Sequence, residues 1–87
     1  MHVLLIYDVS HDGTRARIAR TCEDYGLDRL QFSAFGGELS KQLQRELMLR
    51  IKRLMKNRYG IVTLYPIGQE AWEAQIEVRN EYTEDEP

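Results

Sequence analysis

Apolar and polar positions along this chain change period several times, and each change marks an element. Residues Val3 to Tyr7 are apolar without alternation, which predicts a strand buried on both faces. Ser10 or Asp12 is placed to cap a helix over about 13–25. In it Ile18, Cys22 and Tyr25, with Ala19 beside them, form one apolar stripe. Gly26 suits the position after that helix. From Arg29 to Leu39 the residues Leu30, Phe32 and Ala34 alternate with Gln31 and Ser33, and Gly36-Gly37 allow a bend. One kinked strand and two short ones fit equally well. Ser40 then caps a second helix, about 41–57, with Leu43, Leu47, Met48, Ile51, Leu54 and Met55 on its apolar stripe. A strand over Ile61 to Tyr65 is expected to stop at Pro66. The cleanest period of two comes last: Trp72, Ala74, Ile76 and Val78 against Glu73, Gln75, Glu77 and Arg79. It predicts a strand with one wet face.

Strand, helix, strand or hairpin, helix, strand is the order of an α+β sandwich, most simply the ferredoxin-like βαββαβ arrangement. The strand at 72–78 is surplus to that plan. An amphipathic surplus strand in a small protein suggests pairing with the sheet edge of a second copy, and so a homodimer. Residues 1–80 are read as one domain, and 81–87, EYTEDEP, as an acidic, disordered tail.

Eighty-seven residues allow only a modest core, since a chain this short hides about 60% of its unfolded surface. Dimerisation would add to it. Val3–Tyr7 is too short to span a membrane and no charged-then-apolar leader precedes it. One cysteine, Cys22, leaves no internal disulfide and fits a reducing cytoplasm. CxxC, HExxH and P-loop motifs are all missing from the sequence.

The net charge of −2 hides an asymmetry. Residues 41–58 hold seven bases against one acid, and residues 69–87 hold seven acids against one base. The low total therefore does not exclude a polyanionic partner. Arg50, Arg53 and Lys56 on the second helix, with Arg17 and Arg20 on the first, are candidate phosphate contacts of a sequence-blind kind. Neutralisation by the acidic C-terminus is the plainer account of the second helix. An ordinary solvated face, with Arg20 paired to Asp24, is the plainer account of the first.

Asp8 ends the first strand. Its plainer reading is a turn-forming acid. Its functional reading is a hard-oxygen ligand for Mg²⁺ or Mn²⁺. One carboxylate makes a poor magnesium site, so this reading needs a two-fold axis that brings in a second Asp8. His11 is a candidate general base, though a lone loop histidine is more often a solvated side chain.

The ordered set YDVS, D-x-x-R-x-R-I-A (Asp12 to Ala19), Y-G-L-D-R-L-Q-F-S-A-F (Tyr25 to Phe35), G-E-L-S and I-V-T-L-Y-P resembles the second CRISPR-associated protein family, a small spacer-acquisition family also described as metal-dependent endonucleases. Ala34 stands where that family usually has valine, and Gly36 where it has a larger residue. The resemblance implies a ferredoxin-like homodimer whose last strand crosses to the partner, with paired Asp8 side chains holding Mg²⁺ at the axis. It also implies that Tyr7, Arg15, Arg17, Arg29 and Phe35 serve nuclease activity, with Ser10 in a supporting hydroxyl position. Two functions follow from it. One is cleavage of single-stranded RNA or duplex DNA. The other is a non-catalytic scaffold that holds DNA for an integrase partner. A toxin-like ribonuclease of similar fold and a small-molecule sensing module stand behind these.

Overall fold

The computed structural model describes residues 1–80. Their elements are β1 (His2–Val9), α1 (Asp12–Asp24), β2 (Asp28–Gln31), β3 (Ala34–Glu38), α2 (Lys41–Met55), β4 (Gly60–Ile67) and a short α3 (Gln69–Glu73). The sheet order is β2-β3-β1-β4, and every neighbouring pair is antiparallel. This is the split βαβ topology expected from the sequence. The expected disorder of 81–87 lies outside the described residues.

The register of β1 sets up the whole molecule. Leu5 faces Phe35 on one side and Leu64 on the other, and Tyr7 faces Val62. These side chains point toward the helices, with Val3 and Val9. Ile18 and Cys22 of α1 and Leu47 and Ile51 of α2 close over them, and all are buried. Leu4, Ile6 and Asp8 alternate onto the opposite face, which carries no helix layer. There Leu4 sits between Gly36 and Tyr65, Ile6 between Ala34 and Thr63, and Asp8 opposite Ile61. β1 is therefore covered on one face only, not on both. The reading failed because the uncovered face is itself apolar: Ile6 is 43% and Ile61 68% exposed.

Other boundaries also differ. α1 is capped by His11, not by Ser10 or Asp12. The His11 ring Nδ1 accepts from the Thr14 backbone N–H at 3.1 Å and lies 2.9 Å from the Thr14 hydroxyl. Gly26 follows the helix with φ 83°, a conformation that suits glycine. The stretch 29–39 is a hairpin of two strands with a bulge between Arg29 and Gln31. Pro66 lies within β4 and does not end it, because β4 is an edge strand and no ladder bond is lost there.

No strand forms over 72–78 in the single chain. Trp72 belongs to α3, and residues 75–80 have no regular element. A strand needs an edge to pair with, and here Trp72 finds another use. Its ring stacks on His2, centroids 4.6 Å apart, on the uncovered face. A side chain at position 36 would collide with Leu30 and crowd the Trp72 ring, so glycine at 36 makes room for both. Beyond this contact Ile76 and Val78 are 93% and 86% exposed.

Candidate functional site

β1 ends at Val9, and α1 begins after a two-residue connection, Ser10 and His11. The β2–β3 turn, Phe32 and Ser33, reaches the same end of the sheet: the Tyr7 amide donates to the Ser33 carbonyl at 3.1 Å. Most of the residues singled out from the sequence collect here, but on opposite faces.

Asp8 projects from the uncovered face and is exposed. Its neighbours there are Ile6 and Ile61, so a carboxylate stands at the border of an apolar surface. Among the described residues no three His, Cys, Asp or Glu side chains converge as a metal cage. By register Glu38 and Asp28 share this face, Glu38 beside His2 and Asp28 opposite Gly36, while Asp8 is the acid that β1 itself places there.

Tyr7, Arg15, Arg29 and Phe35 lie on the helix side. Tyr7, Arg15 and Arg29 line a cleft of about 200 Å³ together with Asp12 and Phe32. Arg15 Nη1 donates to the Val9 and Ser10 carbonyls at 3.1 and 3.3 Å, and Nη2 pairs with Asp12. Arg29 Nη1 donates to the Phe32 carbonyl at 2.6 Å, and its guanidinium lies 4.9 Å from the centre of the Phe35 ring. The Tyr7 hydroxyl donates to the same Phe32 carbonyl at 3.3 Å. Burial pushes the Tyr7 phenol above its usual range, while the charges of Arg29 and Arg15 pull the other way. Phe35 is wholly buried and stacks near Tyr7, centroids 6.3 Å apart. It is a core side chain that supports the cleft.

Arg17 and Arg20 point outward from α1. Neither guanidinium is engaged by a described acid, including the Asp24 expected for Arg20. On α2, Arg50, Arg53 and Lys56 are exposed, and Arg50 rests 5.7 Å from the centre of the Tyr25 ring. Ser10 contributes its backbone carbonyl; its side chain faces solvent. His11, a candidate base in the sequence, is a helix cap. For Nδ1 to accept from Thr14, the ring proton must sit on Nε2, which leaves no free base on that ring. Histidine is an uncommon cap, which is why the pattern pointed to its neighbours. Burial pushes the Cys22 thiol up to about 12, so it is inert core. Sequence reasoning missed Phe32. Its ring is 74% exposed and lies 6.0 Å from the Arg15 guanidinium.

Known proteins resemble this chain closely. A family model described as CRISPR associated protein Cas2 matches residues 1–75. A relative from Chloroflexus aurantiacus, named CRISPR-associated endoribonuclease Cas2 2, is 39% identical over 94% of this chain and 96% of its own length. The crystal structure of Streptococcus pyogenes Cas2 at pH 6.5 shares the fold, with a TM-score of 0.78 over 92% of this chain and all of that one, at 24% identity. A chain in a structure titled partial Cas6-RT-Cas1–Cas2 complex matches with a TM-score of 0.71 and 27% identity, covering 88% of this chain and 89% of that one.

Proposed function

Since this chain belongs to the CRISPR associated protein Cas2 family, we propose that it is a metal-dependent endoribonuclease of spacer acquisition, working as a homodimer in the cytoplasm. The observation that carries this reading is the position of Asp8. It is an exposed carboxylate at the end of β1, on a sheet face that α1 and α2 leave uncovered, beside the exposed Ile6 and Ile61. A second copy packed on that face would bring a second Asp8 toward the first. Two carboxylates suit Mg²⁺ or Mn²⁺, which bind one or two carboxylates together with waters and phosphate oxygens. When bound, such an ion polarises a phosphoryl oxygen and lowers the pKa of a coordinated water.

The chain's own residues supply the rest. Asp8 holds the cation. Arg17 and Arg20, exposed on α1, attract the phosphate backbone and neutralise its charge. The backbone hydrogen bonds around Ser10 and Phe32 fix the strand end. Ile76 and Val78, fully presented to solvent in one chain, support the exchange of the 72–78 segment onto a partner's β4 edge.

A second role is supported by α2. Arg50, Arg53 and Lys56 are exposed on α2, across the sheet from the Asp8 side chain, and suit the holding of duplex DNA without reading its sequence. The solved neighbour that includes Cas1 supports an integrase as the partner in that role. Catalysis and scaffolding use different faces and can coexist.

The test is cleavage of labelled single-stranded RNA and duplex DNA by wild type and Asp8→Ala, with Mg²⁺ and with chelator. Cleavage that needs both Asp8 and the cation is the expected result. Equal cleavage by Asp8→Ala overturns the assignment of the site. No cleavage by a folded dimer, in Mg²⁺ or Mn²⁺, leaves the scaffold role as the function.

A further inference from the structure

The residues that the family resemblance connects with activity do not share one environment. Arg17 is exposed, and its side chain makes no hydrogen bond to a described residue. Arg15, Arg29 and Tyr7 are already occupied. Arg15 spends Nη1 on the Val9 and Ser10 carbonyls and Nη2 on Asp12. Arg29 Nη1 and the Tyr7 hydroxyl meet on the Phe32 carbonyl, at 2.6 and 3.3 Å. The Phe32 ring lies against Arg15, so the two loops are joined through a single aromatic side chain.

A guanidinium binds phosphate best through a free edge that offers two parallel N–H groups. Arg15 has turned such an edge toward Asp12 and the strand-end carbonyls. Tyr7 and Asp8 are adjacent in a strand, so their side chains leave on opposite faces. No substrate atom at Asp8 can also touch the Tyr7 hydroxyl without passing through the sheet. What Arg15 does share with Asp8 is backbone: it grips the carbonyl of Val9, the next residue.

We infer that Arg15, Arg29 and Tyr7 are positioning residues, a clamp on the Ser10 and Phe32 loops that fixes the direction of Asp8 without touching substrate. Arg17 is left as the phosphate contact. The clamp's effect on the cation rests on the reading of Asp8 as a metal ligand; its effect on the loops does not.

The experiment compares full-length Arg15→Ala, Arg29→Ala and Arg17→Ala, with Arg15→Lys and Tyr7→Phe as milder changes. Three quantities are read: the salt dependence of single-stranded RNA binding in chelator, amide hydrogen exchange, and Mn²⁺ affinity. Loss of a phosphate contact lowers the salt slope by about 0.7. That drop is expected for Arg17→Ala and for none of the clamp variants. The clamp variants instead speed exchange at the Tyr7 and Thr14 amides, which donate to Ser33 and His11. They also weaken Mn²⁺ binding by about 10- to 100-fold, as loss of a ligand-orienting partner does. Should Arg15→Ala or Arg29→Ala reduce the salt slope while exchange stays slow, the clamp is wrong. If wild type shows no Asp8-dependent Mn²⁺ binding, the metal reading fails, and slope and exchange still decide the clamp.

Discussion

The two faces of β1 differ more than any other pair of surfaces in the molecule. Val3, Leu5, Tyr7 and Val9 lie beneath the helices and are almost completely buried, while Ile6 and Asp8, between them in sequence, are open to solvent. Both sets are largely apolar, so hydrophobicity alone does not separate them. What separates them is which face the chain covers with its own helices. The helix face holds the fold together and carries the loop clamp. The open face carries Asp8 beside the exposed Ile6 and Ile61, and this apolar surface suits a second copy. A single strand thus serves stability with its odd-numbered residues and leaves its even-numbered ones free for the assembly and chemistry proposed above.

The largest effect expected from breaking this division is on cleavage. Asp8→Ala should lower kcat by about 10²-fold or more, on the scale of losing a principal electrostatic group. The melting temperature of the protomer should hardly move, since the exposed Asp8 side chain makes no hydrogen bond or ion pair with a described residue. Steady-state kinetics beside thermal unfolding checks both. A large fall in melting temperature would place Asp8 among the residues that hold the fold.

Next come paired truncations of neighbours on opposite faces. Leu5→Ala, in the core, should cost about 2–5 kcal/mol by denaturant unfolding. Ile6→Glu should cost the isolated protomer little, because surface substitutions usually stay within about 0.5 kcal/mol. It should instead abolish any dependence of melting temperature on protein concentration, the mark of stability linked to association. A wild type whose melting temperature ignores concentration would remove the reason for the open face to be apolar.

The same contrast explains what was legible in the sequence. The order of elements and the ferredoxin-like topology could be read because each helix stripe and strand period reports contacts within the chain. Ser40 as a cap, Gly26 after α1 and the core stripe of Ile18 and Cys22 belong to this class. The pattern misled where apolar residues are left without a helix or strand of this chain to cover them. Leu4 and Ile6 made β1 look buried twice. Trp72, Ile76 and Val78 alternate like a strand, yet the single chain stacks Trp72 on His2 and leaves the other two in solvent. Gly36 was visible only as a departure from a family pattern, and its reason is the room that Leu30 and Trp72 need. The division of the site residues between faces follows from strand alternation at Tyr7 and Asp8. The carbonyl partners of Arg15 and Arg29 do not, because loop geometry leaves no periodic trace. His11 was missed as a cap for a similar reason. Its replacement by alanine should cost about 0.5–2 kcal/mol, the usual range for a lost cap, and Asn at 11 should recover most of it in the same unfolding experiment.

The smallest effect is a pH dependence confined to the helix face. Cys22 is buried against β1, and its thiol is pushed up from 9.0 to about 12; Tyr7 beside it is also raised, from 10.0. Both groups are neutral when protonated, so burial favours the protonated form in the folded chain. The unfolded chain loses these protons at lower pH than the folded chain does. Their contribution to stability is therefore complete below about pH 9 and declines as pH rises through the window up to about 12. Unfolding free energy measured from pH 8 to 11 should fall steadily for wild type, and Cys22→Ala should flatten the curve while lowering it throughout by the loss of a buried side chain. Rapid reaction of the Cys22 thiol with a disulfide reagent at pH 8 in the folded protein would show that the helix layer opens easily, and would weaken the distinction between the two faces.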